Sequence, residues 1–381
     1  MSLNRFRFLL RMLRFDDKRT RVQRMEVDKL APFRDVFEFV VKKCKSNSSV
    51  GEYTTIDEML WAFRGRCGFR QYMWNKPAKY GLKVFSWVDS RTFYVLNMEV
   101  YLGKQRPGPY EHIRQTPSPV VVRLVEPISG SNRNVTYDNW FSSIALSNDL
   151  LQNQKLTTVG TIRKNKKEIP PEFLRTKNRE VHSSIFGFAK NLTTLISYVP
   201  NKNKVVLLTS TMHHSKSIDN ATGEQKKPDI ITFYNATKGG VDVVDEMCGN
   251  YSVARKTNRW PLTAFYLILD IIGLNSLIIC SNNKEKKLVR RKWLKELATE
   301  LVTPHNRTRL QGSLSKSTHI NIMDILKEDV VRPPVEVPNK RKRCGLCEHQ
   351  GNKSAHNCAS CNIPVCGKHS KPTCLNCINM E

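Results

Sequence analysis

KVFSWVDSRTFYVLNMEVYLG, residues 83–103, is the stretch on which the reading of the fold turns. Its two runs, KVFSWVD and TFYVLNMEVYLG, are rich in aromatic and β-branched residues, the composition of strands packed on a sheet. Upstream the chain reads as mainly helical. VDKLAPFRDVFEFVVKKCKSN spaces Phe33, Val36, Phe37, Val40 and Val41 along one helix face. TTIDEMLWAF is predicted to open another helix, with a Thr cap and a Glu three residues on. Downstream, VVVRLVEP, NVTY, KLTTVGTI, TTLISYVP, KVVLLTST and DIITFYN are predicted strands. Helices are expected at NWFSSIALSNDLLQN and after Gly240. The result is a mixed α/β segment of about 170 residues, the usual size of one domain.

After Tyr251 the chain returns to helix. FYLILDIIGLNSLIIC (Phe265–Cys280) is too short for a membrane span and is broken by Asp270 and Asn275, so it reads as a buried helix. KEKKLVRRKWLKELATEL forms a further helix, and the Pro-rich VVRPPVEVPNKRKR is a linker to a cysteine-rich tail. The opening MSLNRFRFLLRMLRFDDK is expected to be a structural amphipathic helix. Arg11 and Arg14 break any secretory apolar region, so the thiols are expected to stay reduced inside the cell.

The chain carries 62 Lys and Arg against 34 Asp and Glu, a net charge of +28 over 381 residues. That is the footprint of a nucleic-acid partner. The basic residues are spread along the chain rather than set on one helix, which speaks against a membrane surface and leaves no membrane role expected.

Against this background the carboxylates are the exception. Asp89 closes the strand KVFSWV, and Asp138 follows NVTY and opens the next helix. Asp242 and Asp245 lie three apart in the first turn of a helix after Gly239 and Gly240, and so share a face. Each has an ordinary reading as a turn residue, cap or dipole partner, and spacing alone does not bring the three regions together. Just beyond lies a basic cluster with Arg255, Lys256, Arg259 and Trp260. RKNKKEIP holds Lys164 and Lys166. All are candidate DNA contacts, with core packing the alternative for Trp260 and plain solvation for the lysines.

Of 11 cysteines, Cys44, Cys67, Cys248 and Cys280 are scattered. The others form Cys344-x2-Cys347-x10-Cys358-x2-Cys361-x4-Cys366-x2-His369-x4-Cys374-x2-Cys377. Eight soft ligands in four pairs match two closed tetrahedral zinc sites. An interleaved layout puts Cys344, Cys347, Cys366 and His369 on one Zn2+ and Cys358, Cys361, Cys374 and Cys377 on the other. Sequential pairing stays open.

The motifs VDSRTFY, VTYDNWFSS, KGGVDVVDEMCGNYSVARKTNRWP and the cysteine pattern, with FRGRCGFRQYMWNKPAKYGLK before them, closely resemble the piggyBac family of DNA transposases. The resemblance runs over nearly the whole chain, in the family's order, and begins part-way into its first helical segment, as in a shortened copy. It implies an α/β fold: an RNase H-like catalytic domain with an insertion, inside a split helical DNA-binding domain, plus a C-terminal crossed-brace zinc module.

The implied boundaries are a helical DNA-binding and dimerisation segment (1–82), catalytic domain (83–164), insertion (165–227), catalytic domain resumed (228–251), helical DNA-binding segment resumed (252–330), linker (331–343) and zinc module (344–377). Also implied are a catalytic triad of Asp89, Asp138 and Asp242 with Asp245 as a further carboxylate, all holding Mg2+ or Mn2+. Two such ions about 4 Å apart clamp the attacking and leaving oxygens of a displacement.

The expected activity is strand cleavage at transposon ends, hairpin formation and strand transfer at TTAA target sites, by a homodimer. Nuclear localisation is expected through KRKR (Lys340–Arg343). The alternatives are a catalytically inactive DNA- or chromatin-binding derivative, or a scaffold acting through its zinc tail.

Overall fold

The computed structural model describes residues 1–284, 288–326, 342–347, 352–359 and 361–371. It divides into a body, Met1–Leu294, and a smaller unit, Lys295–Glu381. In the body the chain runs α1 (Leu3–Met12), α2 (Arg21–Val27), α3 (Arg34–Ser46), β1 (Tyr53–Ala62), β2 (Gln71–Tyr72), β3 (Tyr80–Asp89), β4 (Val95–Val100), α4 (Pro117–Val125), β5 (Asn134–Tyr137), α5 (Ile144–Gln154), β6 (Thr157–Thr161) and α6 (Pro171–Leu174). Then follow β7 (Ser184–Phe188), β8 (Thr194–Asn201), β9 (Lys204–Ser210), α7 (Asp229–Thr237), α8 (Gly240–Asn250) and α9 (Trp260–Asn283). α10 (Arg290–Leu310) runs into the smaller unit, which also holds α11 (Lys316–Leu326) and the short pair β10 (Lys342–Arg343) and β11 (Lys353–Ser354).

The strand order of the main sheet is β2-β3-β1-β5-β6-β9-β8-β7, with β4 on the far side of β3. β1 runs antiparallel to β3 and parallel to β5, and β5 runs parallel to β6. β1 is therefore an inner strand, although TTIDEMLWAF was expected to be helix. Thr54, Thr55, Ile56, Met59, Leu60 and Trp61 are all buried, so the strand lacks the polar–apolar alternation that marks a half-exposed one. Two flanking strands satisfy its backbone, and that pairing outweighs the local Thr–Glu cap signal.

Two predicted strands are helices for the converse reason. VVVRLVEP falls in α4, which starts at Pro117 and buries Val120, Val121, Leu124 and Val125. DIITFYN is α7, which follows Pro228 and buries Ile230, Ile231, Tyr234 and Thr237. These spacings are helical; the β-branched composition misled. β7 went unrecognised, and 165–227 adds β7, β8 and β9 to the main sheet. The main sheet also starts at β1, well before residue 83.

Apolar side chains cover both faces of the sheet. On one face Met59 and Trp61 of β1 pack with Phe37 of α3, Val241 and Val244 of α8, and Ile268 of α9. On the other, Ile56, Phe85 and Trp87 pack with Val121 and Leu124 of α4 and Leu146 and Leu150 of α5.

α9 is long and apolar enough to cross a membrane by length and composition. Its two polar residues are nevertheless engaged inside the body. Asp270 accepts from Ser252 Oγ (2.6 Å) and Val253 N (2.9 Å). Asn275 Oδ1 accepts from Val95 N and its Nδ2 donates to Val95 O, both at 2.9 Å, closing the edge of β4. Asn275→Leu leaves both backbone groups buried and unpaired, so urea denaturation is expected to show a loss of about 2–4 kcal/mol. A loss below about 1 kcal/mol would contradict the role given to this contact.

Candidate acidic centre and cysteine cluster

The register Ile56↔Tyr137 sets the residues after β5 beside the middle of β1. Carboxylate oxygens of Asp57, Glu58 and Asp138 consequently lie within 4.8 Å of one another. Asp57 shares strand parity with Thr55 and Met59, the face that α8 covers. Glu58 shares parity with Ile56. Its Oε2 is buried with no hydrogen bond, and Lys83 Nζ stands 3.8 Å away. That ammonium also lies 4.4 Å from the Trp140 ring centre and 5.0 Å from that of Phe85.

α8 brings two more carboxylates. Its first residue, Gly240, lies against Thr55 of β1: an added Cβ would stand 3.1 Å from Thr55 Oγ1. Thr55 Oγ1 donates to Thr237 O at 2.5 Å, tying the end of α7 to the same point. Asp242 is exposed and bonded to Lys76 Nζ at 3.2 Å, while Asp245 is half-buried.

The electrostatics follow first from burial and then from crowding. Burial pushes the Asp57 carboxyl well above the usual range, and the neighbouring Glu58 and Asp138 push it further. Burial likewise raises Asp138, against a 2.9 Å hydrogen bond from Trp140 N. Burial also raises Asp245. Burial would lower Lys76, but Asp242 and Asp57 more than offset it and its proton is held more tightly than usual.

Asp89 differs. It is buried, yet Oδ2 accepts from Gly51 N (2.7 Å), and Oδ1 accepts from Arg91 N (3.0 Å), Thr92 N (2.8 Å) and Thr92 Oγ1 (3.0 Å). Its oxygens are used in shaping the turn after β3, and it is not among the grouped carboxylates. Of the triad expected from the sequence, Asp138 lies in the group of converging carboxylates, with Asp57 and Glu58. Asp89 and Asp242 lie outside that group, Asp242 being tied to Lys76. Lys76 and Lys83 carry no local signal that sets them beside carboxylates; Asp57 and Glu58 were not among the expected residues, since TTIDEMLWAF reads as helix by its cap. The signal lay in its adjacent carboxylates within a run otherwise fit for burial.

The basic residues also divide. Arg255 and Lys256 line a cavity of about 580 Å3 with Tyr80, Asn258 and Tyr266. A neighbouring cavity of about 640 Å3 is lined by Arg64, Arg66, Arg70 and Asn258. Arg259 is committed elsewhere: its guanidinium donates to Leu13 O at 2.5 Å, satisfying a carbonyl at the end of α1. Trp260 packs edge-on against Phe69, 5.0 Å between ring centres, as a core anchor. Lys164 is exposed and Lys166 half-buried in the turn after β6, whose Arg163 bonds Asn139 beside Asp138.

In the smaller unit, Cys344, Cys347, Cys366 and His369 converge within 4.8 Å, as the interleaved layout requires. His369 Nδ1 lies 3.4 Å from Cys344 Sγ and 3.5 Å from both Cys347 Sγ and Cys366 Sγ. Backbone hydrogen bonds from Leu346 and then Cys366 pull the Cys344 thiol down to about 6, favouring the thiolate that binds metal. Cys358 and Cys361 lie outside this cluster; Cys374 and Cys377 fall outside the described residues.

The chain belongs to the transposase class: a family model described as Transposase IS4 matches residues 1–277. Within that class the chain belongs to the piggyBac family. It superposes on a piggyBac transposase, solved by cryo-EM as a synaptic complex with hairpin DNA, with a TM-score of 0.85 and 38% identity, covering 99% of this chain and 80% of that one. Human piggyBac transposable element-derived protein 3 is 21% identical over 89% of this chain, and human piggyBac transposable element-derived protein 2 is 20% identical over 91%. The chain spans 58% and 59% of those two relatives' lengths.

The contrast between the acidic centre and Asp89 is measurable. With metal removed, Asp57→Asn is expected to stabilise the body by about 1 kcal/mol or more, because it removes a buried like charge. A raised folded-state pKa means stability present at low pH and lost as pH rises, so the gain should shrink as pH falls from neutrality toward the ordinary carboxylate range. Asp89→Ala is expected to cost about 2–3 kcal/mol through the lost turn bonds. Urea midpoints of the two variants in EDTA check both signs, and a destabilised Asp57→Asn contradicts the electrostatic description.

Proposed function

We propose that the chain carries the catalytic body of a piggyBac-type cut-and-paste DNA transposase, with Asp57, Asp138 and Asp242 as the catalytic carboxylates and Asp245 and Glu58 beside them. The observation that carries this reading is the convergence of Asp57, Glu58 and Asp138 next to the Asp242–Lys76 pair. The strand order supports an RNase H-like core: β1 is flanked by antiparallel β3 and parallel β5, with acidic residues at the middle of β1 and just after β5.

The donor set fits Mg2+ or Mn2+. Every candidate ligand is a hard carboxylate oxygen, and Glu58 Oε2 is a buried acceptor without a donor. When bound, such an ion activates a water or 3′-hydroxyl and stabilises the leaving 3′-oxygen. The chain's own residues do the rest. Asp57, Asp138 and Asp242 would supply the negative charge that holds the ion. Lys83, seated on Trp140 and Phe85, balances Glu58. Arg64, Arg66, Arg255 and Lys256 line cavities suited to DNA phosphates, which position a strand without reading its sequence.

By resemblance to the piggyBac family, the substrates would be transposon ends, with hairpin formation and strand transfer at TTAA; the related transposase solved as a synaptic complex with hairpin DNA supports a DNA partner. Homodimerisation and nuclear localisation belong to the same proposal. Cys344, Cys347, Cys366 and His369 would hold one structural Zn2+. Cys358 and Cys361, with Cys374 and Cys377, would hold the second.

The test is cleavage of a labelled duplex carrying a TTAA-flanked element end, in Mg2+ and in Mn2+. Asp57→Ala, Asp138→Ala and Asp242→Ala are each expected to reduce cleavage at least about 1,000-fold while salt-sensitive DNA binding persists. Asp89→Asn is expected to keep measurable cleavage in whatever fraction is folded. Normal cleavage by Asp57→Ala would overturn the assignment. Binding without cleavage by the parent chain would favour the inactive DNA-binding derivative. For the tail, loss of its fold on chelation, read by circular dichroism, is expected; an unchanged spectrum would remove zinc from the proposal.

A further inference from the structure

Lys76 is the one positive group bonded to an α8 carboxylate of the acidic centre among the described residues. It sits at the tip of the β2–β3 turn, which is closed by Met73 N to Lys79 O (2.8 Å), Lys76 N to Met73 O (3.2 Å) and Lys79 N to Lys76 O (3.0 Å). Lys79 takes a left-handed backbone (φ 57°) to complete it. The turn aims the ammonium inward: the Lys76 side chain is 14% exposed, while its partner Asp242 is 67% exposed. Asp57 and Asp245 act on the same ammonium. A cation on a pinned turn thus stands among the carboxylates that the proposed function gives to a divalent ion.

We propose that Lys76 is a tethered counter-ion that competes with a divalent cation for Asp242 and Asp57, so that ion loading releases the ammonium from the site. The inference rests on those carboxylates being divalent-ion ligands. A monovalent ammonium and a doubly charged ion repel each other when they share acceptors, so one weakens the other's hold. Lys suits the role because its charge is compact, strongly hydrated and carried on a flexible stem that can leave without unfolding the turn. Lys83 does not suit it, being held between Glu58 and two aromatic rings.

Two measurements on the full chain test this. Mn2+ binding followed by electron paramagnetic resonance is expected to be about tenfold tighter in Lys76→Gln and near the parent value in Lys76→Arg. Asp57→Asn weakens binding in every background. In the parent protein, acetylation of Lys76 by an amine-reactive ester, read by mass spectrometry, is expected to rise several-fold when Mn2+ is added. This second readout needs no variant and stands even if Lys76→Gln fails to fold. Unchanged or weaker Mn2+ binding in Lys76→Gln overturns the inference but leaves the metal-site reading intact, provided Asp57→Asn still weakens it. Unchanged acetylation also overturns it. If the parent chain binds no Mn2+, the metal-site reading and the inference fall together.

Discussion

The parallel pairing of β1 with β5 is the constraint on which the rest depends. It aligns Ile56 with Tyr137, so the residues that follow, Asp57 and Asp138, are brought side by side at the sheet's centre. Placing like charges together in a half-buried setting costs free energy, and the raised proton affinities of Asp57 and Asp138 express that cost. The surrounding apolar layers, α3, α8 and α9 on one face and α4 and α5 on the other, hold the arrangement against its own repulsion. Perturbed carboxyls of this kind cluster at functional sites.

Compensation for that charge is local and uneven. Lys83 is built into the sheet and packed on aromatic rings, whereas Lys76 arrives on a turn and meets the exposed Asp242. Arg64, Arg66, Arg255 and Lys256 line cavities that contain none of these carboxylates. The high net charge of the chain is therefore compatible with an acidic centre. A few carboxylates, Asp57, Glu58 and Asp138, meet at β1 and β5 although Lys and Arg outnumber Asp and Glu along the chain.

Much of this was legible in the sequence. The strands around Lys83–Gly103, the helix carrying Asp242 and Asp245, the buried helix around Asp270 and Asn275, and the grouping of Cys344, Cys347, Cys366 and His369 all follow from local pattern. The central strand was not legible, because β1 is buried on both faces and its Thr–Glu spacing imitates a helix cap. Asp57 and Glu58, which that strand sets beside Asp138, were therefore not among the candidates, whereas Asp89 ends a strand that the local pattern does show and forms a turn. α4 and α7 were misread for a related reason: their β-branched residues outweighed a helical burial pattern that becomes evident only with the sheet beside them. Contacts between distant segments, such as Lys76 with Asp242 or Arg259 with the end of α1, leave no signal in one sequence.

The most direct test of the central claim, that β1 supplies the first carboxylate of a divalent-ion centre, is an anomalous-scattering map of the protein crystallised with Mn2+. A manganese peak flanked by Asp57 and Asp138 is the predicted result. A peak coordinated by Asp89, with Asp57 uninvolved, would contradict it.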